Sequence, residues 1–403
     1  MELPIIIASR AKHGSVETRS LASSQRSKEL DCLRCVAVVL VLFRHLPALP
    51  DNLTAALRVP AHLLYEAGWV GVDLFFVLSG FLISGLLFRE YQRYRRIDFK
   101  QFIVRRGLKI YPAFYCLIAA TVGIAVLNKW NLPWKRIFAE VFFVQNYFIG
   151  LWSHTWSLAI EEHFYLLLPL LLIALARMNQ DKENPFRLLP WIYAGLASVL
   201  LGARLLSGWR VSFGFVDVNT FCHRHLFPTH LRLDSLFLGV VLAYAYHYHP
   251  VVLKEWVLRR QAVLLGLAVI ALLPVFIWPL MTTPYHYTAG FTLVAYGFAA
   301  ILLLSVTKGY PDGRFSGSPV HWCAYIGTHS YSIYLWHLAV AMLAASAVRR
   351  WRAPWWVEHL AFLAGSILVG IIMAKLIELP LLKVRDRFFP SRSKLSAAAK
   401  PSQ

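Results

Sequence analysis

The sequence predicts an all-α polytopic membrane protein of about ten transmembrane helices with both termini cytoplasmic, on three observations. Hydrophobic residues make up 58% of the 403 and charged residues only 15%, with a mean hydropathy of +0.53. That is too apolar for a soluble domain. Apolar runs long enough to cross a bilayer recur along the whole chain. The basic residues fall in alternate loops, as the positive-inside rule requires. The net charge of +20 is spread between apolar runs and not gathered on one basic domain. It reads as topology information and attraction to membrane lipid headgroups, which argues against a nucleic acid partner.

The chain divides into a flexible cytoplasmic tail (1–29), a transmembrane domain (30–388) and a second cytoplasmic tail (389–403). The first tail is polar and basic, without an apolar core or a small-residue cleavage site, so it is not a signal peptide. Spans are expected near 31–50, 68–88, 108–128, 152–176, 189–207, 230–247, 262–280, 288–306, 322–346 and 356–379. "RIFAEVFFVQNYFIG" (136–150) is shorter and reads as interfacial or re-entrant. With the N-terminus inside, the inner loops 89–107, 177–188, 248–261 and 307–321 collect most of the loop lysines and arginines. The outer "HRH" (223–225) and "VRRWRAP" (348–354) are exceptions. The paired cysteines Cys32 and Cys35 open an apolar helix with no partner ligands nearby. They are read as packing residues, and neither a disulfide framework nor a metal site is predicted. No inverted repeat of the transporter kind is visible.

Ionisable groups inside spans mark where chemistry is expected, because each costs about 2.5–3.5 kcal/mol to insert. In the first span Arg34 and His45 are eleven positions apart, which is about 20° past three full turns and about 16 Å along the axis. They share one stripe and suggest a lined path. In the second span, "GWVGVDLFFVLSGFLISG" (68–85), Asp73 lies about a turn inside the membrane. Ser79 interrupts the run, and Gly71, Gly80 and Gly85 permit close helix approach. Asp73 and His45 fall in the same half of the membrane, either together or apart. Arg105, Arg106 and Lys109 cluster at the cytoplasmic mouth of the third span. They either snorkel or hold a phosphorylated ligand. The fourth span, "HTWSLAIEEHFYLLLPLLL" (154–172), is the most polar: His154 shares a face with Glu161, and Ser157, Glu161 and Tyr165 follow at four-residue spacing. Ser330 and His337, Arg232 and Asp234, and Glu378 are read as helix-to-helix hydrogen bonding and ion pairing.

At these residues the chain resembles the integral-membrane acyltransferase family 3, which transfers acyl groups, often acetyl, to sugars and other hydroxylated acceptors. The resemblance covers about 29–388. It is carried by "LDCLRCVAVVLVLFRH", "GVDLFFVLSGFLISG", "FIVRRGLKIYPAFY", "HTWSLAIEEHFYLLLP", "LRLDSLFLG", "IGTHSYSIYLWH" and "IELP" in family order. It implies His45 as the catalytic residue with Arg34 as its motif partner, and Asp73, Ser79, His154, Ser157 and Glu161 in the site. It also implies Arg105, Arg106 and Lys109 facing the phosphates of a cytoplasmic acyl-CoA. Lys109 stands where the family favours arginine, which keeps charge but loses bidentate geometry, and His163 replaces the usual glutamine. Many relatives carry an extracytoplasmic hydrolase-like domain that passes the acyl group on. None follows here, so the core is expected to modify its acceptor directly or hand over to a separate protein.

The expected function is therefore transfer of an acyl group, taken as acetyl, from acyl-CoA to a hydroxyl of a carbohydrate or glycolipid, such as exopolysaccharide or O-antigen. No bound cofactor is called for, and the family implies the bacterial inner membrane. His45 acts as general base or carries the acyl group briefly, with Asp73 or Glu161 orienting its ring. The rival is a proton-coupled transporter or flippase using His45, Asp73 and Glu161 as a relay.

Overall fold

The computed structural model describes residues 28–50, 54–212, 217–281, 283–308 and 318–390. Nearly all of the two expected tails, and most of the inner loop 307–321, lie outside the described residues.

The described residues are helical, with no strand among them. In chain order the helices are α1 (Lys28–Arg44), α2 (Ala55–Ala67), α3 (Val70–Tyr94), α4 (Phe99–Leu127), α5 (Trp134–Val141) and α6 (Trp156–Met178). There follow α7 (Leu189–Ser212), α8 (Val218–Phe221), α9 (Leu233–Tyr248), α10 (Pro250–Arg259) and α11 (Gln261–Ile277). The last five are α12 (Phe291–Lys308), α13 (Ser318–Thr328), α14 (Ser330–Trp351), α15 (Trp355–Met373) and α16 (Leu379–Phe388).

Among the described residues seven helical segments are long and apolar enough to cross a membrane, or eight if α9 and α10 form one bent span. This is a polytopic membrane architecture. Every one of the ten expected spans meets a helix. Two of those helices, α1 and α11, are only 17 residues long, below the usual crossing length. The α9–α10 pair bends by 110°, because Pro250 has no N–H to continue the ladder and starts a new helix at its first position. The expected span 322–346 is split between α13 and α14. At the break the Thr328 hydroxyl donates to the Tyr325 carbonyl at 2.7 Å and the His329 ring lies 2.9 Å from that same carbonyl. These side chains compete with the helix ladder. Within the segment 136–150 only 136–141 is helical, as the end of the eight-residue α5.

Burial sorts the helices. The apolar stretch of α3 is 78% buried, whereas those of α7 and of α15 with its extension are 28% and 22% buried. So α3 is the centre of the bundle, and α7 and α15 face outward. α3 and α9 cross through glycines. A Cβ at Gly80 would lie 1.9 Å from the Leu236 carbonyl oxygen, and one at Gly239 would lie 2.3 Å from that of Val77. Gly71 meets the Ala37 carbonyl of α1 in the same manner, at 2.4 Å. Small residues let the backbones touch, as the sequence indicated for Gly71 and Gly80. Two ion pairs lock the same region. Arg232 reaches both carboxylate oxygens of Asp73 at 2.9 Å. The fully buried Arg204 reaches Asp234 at 3.0 and 2.7 Å.

Candidate active site

Two cavities lie end to end along α3. The larger, about 440 Å³, is walled by α1, α3, α4, α6, α14 and α16. Seven of the ten expected site residues line it: Arg34, Ser79, Arg105, Arg106, Lys109, Ser157 and Glu161. α4 starts where it does because Asp98 caps it, its carboxylate accepting from the Gln101 N–H at 3.0 Å. The first three turns of α4 therefore present Arg105, Arg106 and Lys109 together. Arg34 is held by Asp31 at 2.5 Å. Deeper in, the Tyr165 hydroxyl donates to Glu161 at 2.6 Å and lies 2.7 Å from the Ser79 hydroxyl. A hydroxyl has one proton to give, so Ser79 donates to Tyr165 and Tyr165 to Glu161. Lys109, Arg106 and Arg34 are the cationic neighbours of Glu161.

The smaller cavity, about 200 Å³, holds His45, His154 and Arg232 among its lining residues, with Trp69, Trp156 and Phe227. Val72 and Tyr334 line both cavities. Tyr334 is fixed there: its hydroxyl donates to the His154 carbonyl and lies 2.7 Å from the Ser157 hydroxyl.

His45 follows the last residue of α1, and its Nδ1 lies 2.9 Å from the Val41 carbonyl and 3.3 Å from Nε2 of His337. His337 Nδ1 is in turn 2.6 Å from the Tyr334 carbonyl. A carbonyl can only accept, so both rings carry their proton on Nδ1. The His45 Nδ1–H is then shared between Val41 and the His337 lone pair, and the His45 Nε2 is left as a base. His154 is opposite in sense. Its Nε2 donates to the Leu335 carbonyl at 3.1 Å, leaving a buried Nδ1 without a partner. The His337 ring lies 4.8 Å, centroid to centroid, from both His45 and His154. Three histidines from α1, the turn before α6 and α14 thus meet at the junction of the cavities.

The structure corrects the expectation for Asp73 and Glu161. Neither carboxylate orients the His45 ring. Asp73 is fully buried, satisfied by Arg232 and by the Ser235 hydroxyl at 3.3 Å, and lines neither cavity. Glu161 belongs to the larger cavity with Tyr165 and Ser79. A backbone carbonyl and a neutral histidine do the work assigned to a carboxylate. In the sequence His337 reads as a helix-to-helix hydrogen-bonding residue, and Tyr334 carries no charge to draw attention. "THSYSIYLWHL" did place Tyr334 and His337 three apart on one side of a helix, which was the available signal. His163 bonds to Thr229 at 2.7 Å, away from the cluster. Among the described residues no group of three or more His, Cys, Asp or Glu side chains is arranged to hold a metal ion.

Comparison with known proteins then decides the family. A model described as an acyltransferase domain matches residues 27–375. The chain belongs to the acyltransferase family 3. The peptidoglycan O-acetyltransferase OatA of Listeria monocytogenes is 29% identical over 377 residues, covering 88% of this acyltransferase and 55% of the relative. The O-acetyltransferase OatA of Staphylococcus aureus is also 29% identical, over 376 residues, covering 88% and 57%. This acyltransferase spans little more than half the length of the curated relatives it matches. No solved structure matches it.

Proposed function

We propose that this acyltransferase moves an acetyl group from acetyl-CoA, bound in the larger cavity, to a carbohydrate or glycolipid hydroxyl presented in the smaller one. The observation that carries this reading is the meeting of the two cavities at Val72 and Tyr334, with His45 beside the junction. Arg105, Arg106 and Lys109 face the CoA phosphates, Arg34 helps to line the route, and the thioester extends toward Tyr334. His45 Nε2 takes the acceptor hydroxyl proton as that oxygen attacks the thioester carbonyl. The carbon–sulfur bond breaks, and the imidazolium returns the proton to the departing thiolate. The positive charge on His45 is eased by Val41 and His337, which accept its Nδ1–H. The enzyme sits in the bacterial inner membrane, with ten spans and both termini cytoplasmic. The OatA relatives are O-acetyltransferases, one of them named for peptidoglycan, which supports a cell-envelope polymer or its lipid-linked precursor as acceptor.

Thiol release from acetyl-CoA by the purified protein, with and without a lipid-linked saccharide, tests the reading. Acceptor-dependent release is expected. Intact thioester together with saccharide-dependent proton or lipid movement would replace the enzyme by the transporter.

A further inference from the structure

α16 lies beyond the family match, which ends at residue 375, yet it contributes to the larger cavity. Arg385 on α16 lines that cavity together with Arg105 on α4. One oxygen of Asp386 joins the two arginines: Oδ1 lies 3.2 Å from Arg105, and 2.9 and 2.8 Å from two nitrogens of Arg385. Arg105 also donates to the Phe389 carbonyl, and Gln101 donates to that of Pro390 at 2.9 Å. The end of α16 is therefore clamped to the start of α4 at the basic mouth. Both guanidiniums are largely covered, at 19% and 17% exposure, while Asp386 is 53% exposed. Two arginines converging on one anionic oxygen, Arg385 with two nitrogens and Arg105 with one, form the charge-assisted donor set that also suits a phosphate oxygen. Here a half-exposed carboxylate of the chain itself fills the seat.

We infer that Arg385 and Arg105 form a two-arginine seat for a phosphate of the CoA donor, and that Asp386 occupies it until the donor arrives. This rests on the acyl-CoA reading above. No bond is made or broken: one anion replaces another on the same pair of guanidiniums. Arg385 thus adds a donor-binding residue from a helix outside the matched domain, and Asp386 sets how strongly the donor must compete.

The test is equilibrium binding of CoA and of 3′-dephospho-CoA to the detergent-purified full-length protein, in wild type, Arg385→Gln and Asp386→Asn. Charge-assisted hydrogen bonds of this kind are worth about tenfold in affinity. Arg385→Gln is expected to weaken CoA about tenfold, whereas Asp386→Asn, which removes the competing anion, is expected to tighten it several-fold. A contact that merely braced α16 would move both variants in the same direction, with loss of thermal stability, and that result would overturn the seat. Unchanged CoA affinity in Arg385→Gln would overturn it too. If the Arg385→Gln effect vanishes with 3′-dephospho-CoA, the seat holds the 3′-phosphate. If it persists, the seat holds the diphosphate. Wild type that binds no CoA would instead remove the donor reading on which the seat rests.

Discussion

At the scale of single residues, the structure separates charged groups that hold the bundle from those that face the cavities. Asp73 and Arg232 are a buried pair at the wall of the smaller cavity, and removing Asp73 leaves the Arg232 guanidinium buried without its counter-charge. Such losses cost about 3–5 kcal/mol. Asp73→Asn is therefore expected to lower the melting temperature in detergent by many degrees, with lost activity tracking lost folded protein. The double change Asp73→Asn with Arg232→Met should recover much of that stability. His337 is the opposite case. It touches His45 and lines neither cavity, which makes it a positioning residue. His337→Phe removes one acceptor of the His45 Nδ1–H, worth about 0.5–1.5 kcal/mol. A fall of about three- to tenfold in kcat at unchanged KM for acetyl-CoA is expected, with partial rescue by His337→Gln. An equal change in KM would assign His337 to donor binding. Sequence reasoning found His45, Arg34 and the basic cluster because an ionisable group in an apolar helix is visible one residue at a time. It could not tell that Asp73 belongs to Arg232, since 159 positions separate them and only the α3–α9 crossing joins them.

At the scale of elements, helix existence was legible and helix ends were not. Periodic apolar runs placed a helix at every expected span. The ends depended on local competition instead: Pro250 broke α9 from α10, and Thr328 with His329 divided α13 from α14. The turn before α6, which carries His154, is set by Glu140. Its carboxylate accepts from the Leu151 and Trp152 N–H groups, each at 3.0 Å, and from the Thr155 hydroxyl at 2.9 Å. Nothing in "RIFAEVFFVQNYFIG" announces that role, because the groups it binds lie more than ten residues on. The glycine crossing was visible in outline. With the Leu236 carbonyl 1.9 Å from a Cβ at Gly80, Gly80→Ala forces α3 and α9 apart. Overpacking costs typically about 1–3 kcal/mol, and more where backbone must move. Gly80→Ala should melt lower than an Ala substitution at Gly123, where no atom lies within 4 Å of an added Cβ.

At the scale of the whole molecule, the two cavities and their shared wall give a path from a basic mouth to a histidine cluster. The sequence suggested that path from Arg34 and His45 on one stripe. The structure places the two residues on different cavities, with Tyr334 between them. Ten spans with both ends cytoplasmic make a separate prediction. A reporter active only in the cytoplasm should work when fused at either terminus and fail when inserted at Asn131, between α4 and α5. A working reporter at Asn131 would mean that one of α1, α3 and α4 does not cross. The proposed path has His45 take the acceptor proton, with Val41 and His337 in place of a carboxylate orienting its ring. The most direct measurement is transfer of label from [acetyl-¹⁴C]acetyl-CoA into the carbohydrate and lipid fractions of membranes containing wild type or His45→Ala at equal protein level. General-base catalysis is worth about 10²–10⁴-fold, so incorporation should fall by at least a hundredfold in His45→Ala, and the labelled wild-type fraction will name the acceptor class. Undiminished incorporation in His45→Ala would contradict the account.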